Sequence, residues 1–492
     1  MTRIDRRRFL QYSGYALAGV SASALLGGCG DSYDSAENPE FWKVGDFPPV
    51  SDEVTETGLQ VQGTIPTELN GLYVRNGPNS WQGATEHFFM GDGMLHGIRL
   101  ESGQASWYRN RYVQTPLLYK DSGILLKPPE LAENQSNVSL IYHGGKLLSL
   151  GEAGWGYEID PDDLSTLGVQ NYADKLQTAM TAHPKIDPDS GIMHFFGYGV
   201  FAPYLTYHQA DAAGNLVKTV PLETDGPAMM HDFAMTRNYV IFMELPVKFS
   251  LFKAVTMDPF PFGWDDEAVC RMGVLPKTGS ASDMQWFDVP TCFIFHTMNA
   301  YEEGDAIVLD AARYDSLWVK GSGDFNHPAY LSRFTLKLSD GSATVDRVNE
   351  PSMEFPQINR DHWGRSYRYG YSLTTGMEDG HMAYDGATGF MKMDLHTGVG
   401  QHYKLPKGMA PAEPFFVAAQ KATSEDDGYL LSYVYEPVTH TSDLWIFEAS
   451  DLLAGPIAKV KLPVRVPIGF HGVWVSQEQL TGSNRTMTGE SV

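Results

Sequence analysis

The feature that most constrains this chain is a unit that recurs seven times. Each unit has a short run with apolar residues at alternate positions, a turn built on Asp, Ser or Thr with Gly, and a second alternating run. Side chains two apart share one face of a strand, so each unit reads as a β-hairpin with one face turned to a core. The units lie at 96–113, 156–172, 205–222, 271–289, 331–348, 389–405 and 444–462. Their spacing of roughly fifty to sixty residues leaves room for four short strands each, the content of one propeller blade. Helical periodicity is scarce, and Pro and Gly punctuate nearly every interval. Residues 40–492 therefore read as one all-β body, a seven-bladed β-propeller, with two or three separate sandwiches as the alternative. No linker-like break separates the hairpins, which favours the propeller.

Four segments place one histidine each in strand-like sequence: Thr181-Ala-His183-Pro, Met229-Met-His231-Asp-Phe, Phe293-Ile-Phe-His296-Thr and Gly469-Phe-His471-Gly. A lone histidine in such a run is ordinarily a hydrogen-bonded core residue. Four that are this dispersed form no local metal finger, but a propeller axis is where strands from distant parts of a chain meet. Four neutral imidazoles there suit a divalent ion such as Fe, Zn, Cu or Ni and leave coordination positions open. Gly91-Asp-Gly93 lacks the third glycine of a dinucleotide loop, and no Cys-x-x-Cys or His-Glu-x-x-His occurs.

The N-terminus carries Arg6-Arg7-Arg8-Phe9-Leu10, a mild apolar run, then Leu26-Gly-Gly-Cys29. This reads as a twin-arginine export signal with a lipoprotein cleavage box over 1–28, and 29–39 as a tether. An ordinary signal with a chance cysteine is the alternative. The expectation is export to the periplasm, with the protein held at a membrane surface through a lipidated Cys29. The net charge of −24 excludes nucleic acid and anionic lipid as partners recruited by general electrostatics. Cys270 and Cys292 are too few for a disulfide framework, though one bridge is open to them. No apolar run long enough to span a bilayer follows the leader. The segment 245–265, rich in Phe, Leu and Trp, reads as an insertion. It covers the axis or offers an apolar face to a membrane or a greasy substrate, with a simple buried lid helix as the alternative.

The chain resembles the carotenoid cleavage oxygenases, a family that includes the retinoid isomerohydrolase and the stilbene-cleaving oxygenases. The resemblance runs from Gly71-Leu-Tyr-Val-Arg-Asn-Gly-Pro-Asn79 through Gly91-Asp-Gly-Met-Leu-His96, Ala182-His-Pro-Lys-Ile-Asp-Pro188 and Phe295-His-Thr-Met-Asn-Ala-Tyr-Glu302. It continues to Glu413-Pro-Phe-Phe-Val417 and Gly469-Phe-His-Gly472. It implies a seven-bladed propeller with a loop or helical cap over one axial Fe(II). His183, His231, His296 and His471 are the implied ligands, and Glu152, Glu354 and Glu413 are the carboxylates behind them. A carboxylate that accepts the second ring N–H of a ligating histidine fixes its tautomer and raises its basicity.

The implied reaction is oxidative cleavage of a C=C bond in a long apolar conjugated substrate. Dioxygen is the co-substrate, and each of its oxygens ends in one of two carbonyl products. A stilbene-type dioxygenase, a retinoid-type isomerohydrolase and a non-enzymatic propeller that binds apolar ligands are the alternatives. Stilbene-cleaving relatives carry Lys just before the first of the three glutamates and carotenoid-cleaving ones often Trp. Gly151 here argues against a phenol-anchored stilbene and for a differently shaped tunnel. Val138 stands where some members carry Thr beside the iron, and its methyl would still crowd one coordination position.

Overall fold

All seven hairpins are antiparallel strand pairs. The structure, a computed structural model, describes residues 41–482 except 44–45, 84, 86, 120–129, 257, 259, 320, 323, 326 and 379–380. The leader, Cys29 and the tether lie outside the described residues. The described strands form six antiparallel sheets of four or more strands and one isolated pair.

Alternation explains the outer strands. Leu216–Leu222 and Thr166–Gln170 alternate between more and less exposed positions, as half-buried strands do. Strands deeper in a sheet do not alternate: Gly71–Pro78 is buried along its whole length because side chains pack on both of its faces. The longest strand, Ala343–Gln357, pairs with Ala329–Lys337 through its first half and with Tyr369–Glu378 through its second, and its register shifts on both sides. Two four-stranded units thereby merge into one seven-stranded path.

The two ends of the chain share sheets. Gly472–Ser476 pairs with Gly71–Pro78, and Val61–Gly63 pairs with Pro456–Lys461. Ile65, Leu69 and Tyr73 accordingly pack in one cluster with Leu431, Tyr433 and Val460. Each such buried side chain contributes about 1.5–3 kcal/mol before the conformational entropy it loses is counted. This closure fixes where the last histidine segment, 467–472, can lie.

The insertion is not the buried lid helix that was one expectation for it. It is a hairpin, Val247–Phe249 with Phe262–Trp264, carrying a five-residue helix, Leu251–Val255, none of whose residues is buried. Phe252 is 75% exposed, whereas Phe260 and Phe262 beyond the helix are buried. The covering element is thus Phe260, and the helix faces outward because its apolar residues have nothing to pack against. Among the described residues no helix is long and apolar enough to cross a membrane. Cys270 and Cys292 are free, buried thiols, so the single bridge open to them is not formed. Burial pushes the Cys292 thiol up to about 12.

Candidate metal centre

Each of the four histidines sits at an edge strand, on the side of its sheet away from the hairpin. His183 and His231 lie two and three residues before Lys185–Ile186 and Ala234–Met235, His296 lies inside Phe293–Glu303, and His471 directly precedes Gly472–Ser476. These edges converge: one ring nitrogen from each histidine lies within 4.8 Å of the others. His183 Nε2 is 3.0 Å from His231 Nε2, which is 3.3 Å from His296 Nε2.

Local sequence places each ring. Pro184 and the Thr181 side chain hold the His183 segment extended, the His183 N–H donating to Thr181 Oγ1 at 3.1 Å. Asp232, next to His231, accepts from Lys185 Nζ at 2.8 Å and from the Thr297 N–H and Oγ1–H at 2.8 and 2.7 Å. One carboxylate thus ties three histidine segments together. At His471 the backbone N–H donates to Val138 O at 3.1 Å, and Arg75 Nη1 donates to Pro467 O. Gly469 is required there: a Cβ would lie 2.7 Å from the Gly77 Cα and closer still to the Arg75 guanidinium. The glycines therefore let this segment lie against the first sheet.

The three glutamates stand behind three of the rings. His296 Nδ1 donates to Glu354 Oε2 at 2.6 Å, His471 Nδ1 donates to Glu413 Oε1 at 2.8 Å, and the Glu152 carboxylate lies against the Nδ1 edge of His231. Burial holds His183 well below the usual imidazole range, with the other three rings adding to the effect. Burial also lowers His471 against the pull of Glu413, whereas at His296 it is outweighed by Glu354 and that ring is raised. Burial opposes ionisation of Glu354 and Glu413, yet both are held below the usual carboxylate range by their histidines and by backbone N–H donors at Phe355 and Gly472.

This donor set fits a divalent metal. Protons on Nδ1 of His231 and His296, facing Glu152 and Glu354, leave their Nε2 atoms, 3.3 Å apart, with bare lone pairs. Lone pairs about 3 Å apart with no hydrogen between them repel unless a cation sits among them. All-nitrogen ligation with no thiolate suits the first-row ions that imidazole prefers.

Beside the cluster is a cavity walled by Phe89, Val138, Met229, Phe260, Phe295 and Phe470, where His231, His296 and His471 show their edges. It opens toward solvent through a space of about 730 Å³, mouth included. Polar side chains in its wall are engaged elsewhere: Asn134 Nδ2 donates to Leu131 O and Trp155 O, and Asn137 Nδ2 to Phe89 O and Gly91 O. His87 and His96, given no site role from the sequence, are buried and hydrogen-bonded to Ser322 O and Tyr108 Oη.

The family model described as retinal pigment epithelial membrane protein matches residues 47–476. The chain belongs to that family. It is 35% identical to a carotenoid 9,10(9',10')-cleavage dioxygenase of Pisum sativum, over 91% of this chain and 92% of that one. It is 34% identical to a carotenoid cleavage oxygenase of Mycobacterium tuberculosis, over 89% and 98%. Among solved structures it is similar to the lignostilbene dioxygenase of Pseudomonas brassicacearum, with TM-score 0.80, 26% identity and coverage of 87% and 96%. The cobalt-substituted Synechocystis ACO gives TM-score 0.78, 26% identity and coverage of 87% and 97%.

In this member of the retinal pigment epithelial membrane protein family, a further ring of residues at the centre went unmarked in the sequence. Tyr198 donates to Glu152 Oε2 at 2.7 Å, Tyr314 to Glu354 Oε1 at 2.8 Å, and Gln357 Nε2 to Glu413 Oε1 at 2.7 Å. Each partner is 40 to 56 residues away in the chain, so no local pattern announces it. Asp232 stood in the sequence only as the neighbour of His231, with no role attached.

Proposed function

We propose that this chain is a non-haem Fe(II) dioxygenase, one iron per chain, that cleaves a C=C bond of a carotenoid or apocarotenoid into two carbonyl products. The observation that carries this reading is the four-imidazole cluster, backed by three carboxylates, with three of its rings in the wall of an apolar cavity. His183, His231, His296 and His471 would hold the iron, and Glu152, Glu354 and Glu413 would fix the ring orientations. Iron bound there supplies the redox chemistry by which dioxygen reacts with an electron-rich alkene.

The chain's own residues do the rest. Phe89, Phe260, Phe295 and Phe470 give a conjugated chain faces to lie along and exclude water from the reacting bond. Val138 limits the room beside the histidines. No free base is needed, because both oxygens of O2 enter the products and no proton is transferred.

The relatives at 34–35% identity carry carotenoid cleavage in their names, whereas the lignostilbene enzyme is 26% identical. Gly151 supports the same choice. A Cβ at that position would meet Asn134 Oδ1 at 3.1 Å and Ser136 N at 3.2 Å, so a long cationic side chain has no ready space there to hold a phenol. The TM-score of 0.80 to the lignostilbene enzyme keeps a stilbene-type substrate as the second reading.

The same reading takes the sheets as seven blades, counting the seven-stranded path as two, with the 245–265 insertion as part of a cap. It places the mature protein, residues 40–492 on a 29–39 tether, in the periplasm and anchored by Cys29. Leu251, Phe252 and Val255 add an apolar contact with the membrane surface from which a greasy substrate would be drawn.

The deciding experiment incubates iron-loaded protein under ¹⁸O-labelled dioxygen with carotenoids, apocarotenals and hydroxystilbenes and identifies the products by mass. Two carbonyl products from a carotenoid or apocarotenal, each with one labelled oxygen, are expected. Turnover of hydroxystilbenes alone moves the protein to the second reading, and no product from any substrate removes both.

A further inference from the structure

The histidine cluster has a second side. Opposite the apolar cavity is a second of comparable size, about 610 Å³ with its mouth included, in whose wall stand His183, Lys185, Asp232, Gln357, Arg360 and Glu413. Its enclosed part holds several waters or one small polar molecule.

Its charged groups are not equally satisfied. Lys185 and Asp232 pair at 2.8 Å. Glu413 has both oxygens engaged, by His471 and Gln357 on one and the Gly472 N–H on the other. Arg360 is different. Its guanidinium carbon lies 4.8 Å from the Trp363 ring centre and 4.4 Å from that of Phe415, so aromatic faces cover the flat sides of the ion. Those faces accept nothing in the plane where the N–H bonds point, and Arg360 Nε is buried with no hydrogen-bond partner. Burial lowers Arg360 to about 10, still fully charged at neutral pH. The side chain as a whole is only partly buried and Glu413 nearby offsets part of its charge, so the remaining N–H donors of the guanidinium are open to an anion that enters the cavity.

We infer that this cavity is a binding site for a small planar monoanion of the formate, nitrite or bicarbonate kind, held edge-on by Arg360. The guanidinium fork matches two oxygens of such an anion, and Trp363 and Phe415 fix the fork's plane. The site lies across the histidines from the apolar cavity, so its occupant does not compete with a polyene. A divalent ion at the histidines adds positive charge to the shared wall and tightens the anion. Binding itself does not depend on the metal, which separates this inference from the proposed oxygenase activity.

The test titrates formate, nitrite and bicarbonate into the metal-free protein, with formamide as the neutral control, following tryptophan fluorescence and thermal unfolding. A saturable response to at least one anion and none to formamide is expected. It should weaken at least about tenfold in Arg360→Gln and by less in Arg360→Lys, which keeps the charge and loses the fork. Repeating the titration on zinc-loaded protein should give a lower Kd. If Arg360→Gln does not fold, judged by circular dichroism, the Arg360→Lys shift alone decides. Absence of a saturable response, or equal responses in wild type and variant, means the cavity holds water only and overturns the inference.

Discussion

His296 and Glu354 are 58 residues apart in the chain and 2.6 Å apart in space, and His471 and Glu413 repeat both relationships, at 58 residues and 2.8 Å. That interval is about one hairpin unit, so each ring is braced by a carboxylate from a neighbouring module. The sheets thereby set not only where the rings meet but which tautomer they hold.

Removing the brace should weaken the metal without unfolding the protein. Glu354→Gln and Glu413→Gln are each expected to reduce metal affinity by about ten- to a hundredfold, and His296→Ala to abolish retention. Metal content after dialysis against a graded chelator checks this. Unchanged retention in all three would contradict the assignment of ligands.

Tyr314 and Tyr198 hold two of the glutamates from behind but differ in setting. Tyr314 is sealed with Glu354, and losing its hydroxyl in Tyr314→Phe leaves a buried carboxylate oxygen short of a donor, at a cost of about 1–3 kcal/mol. The expected result is a lower unfolding midpoint in urea. Tyr198 lines the apolar cavity, so Tyr198→Phe should change kcat/KM at nearly constant stability. Equal stability losses in the two variants would show that the cavity does not distinguish them.

Much of this was legible from the residues. Alternating runs with Gly-containing turns marked all seven hairpins, because a half-buried outer strand must show period two. The four histidines stood out as single polar rings in apolar runs, and a family resemblance assigned the glutamates. Tyr198, Tyr314 and Gln357 were silent, since the glutamates they meet lie 40 to 56 residues away in the chain, and nothing in the local sequence singled out Arg360. The insertion stayed open between readings for a related reason: Phe252 and Phe260 look alike in sequence, and only the hairpin of Val247–Phe249 with Phe262–Trp264 turns one outward and the other in.

Gly151 predicts substrate fit. Gly151→Trp must displace Asn134 or project into the apolar cavity, so kcat/KM for a carotenoid should fall at least about tenfold with metal content unchanged. Steady-state kinetics on iron-loaded protein measures it. A variant as active as wild type would mean that the polyene does not pass this wall.

Histidines outside the metal centre should add to the acid sensitivity of the metal-free protein. Burial lowers His87 to about 4, His194 to about 3 and His208 to about 4. Above the unfolded value of about 6.5 both states are neutral there. Below it the unfolded chain takes protons that the folded one refuses, so stability falls toward pH 4 by up to about 1.4 kcal/mol per histidine per pH unit. Urea unfolding of metal-free protein between pH 7.5 and 4.5, as test conditions on the order of the unfolded histidine range, should show this decline. A flat profile would contradict it.

The most direct test of the central claim is anomalous diffraction at the iron edge from crystals of the iron-loaded protein. The account predicts one peak per chain, about 2.1 Å from a ring nitrogen of each of His183, His231, His296 and His471. Iron bound elsewhere, or a centre that lacks one of these four rings, would contradict it.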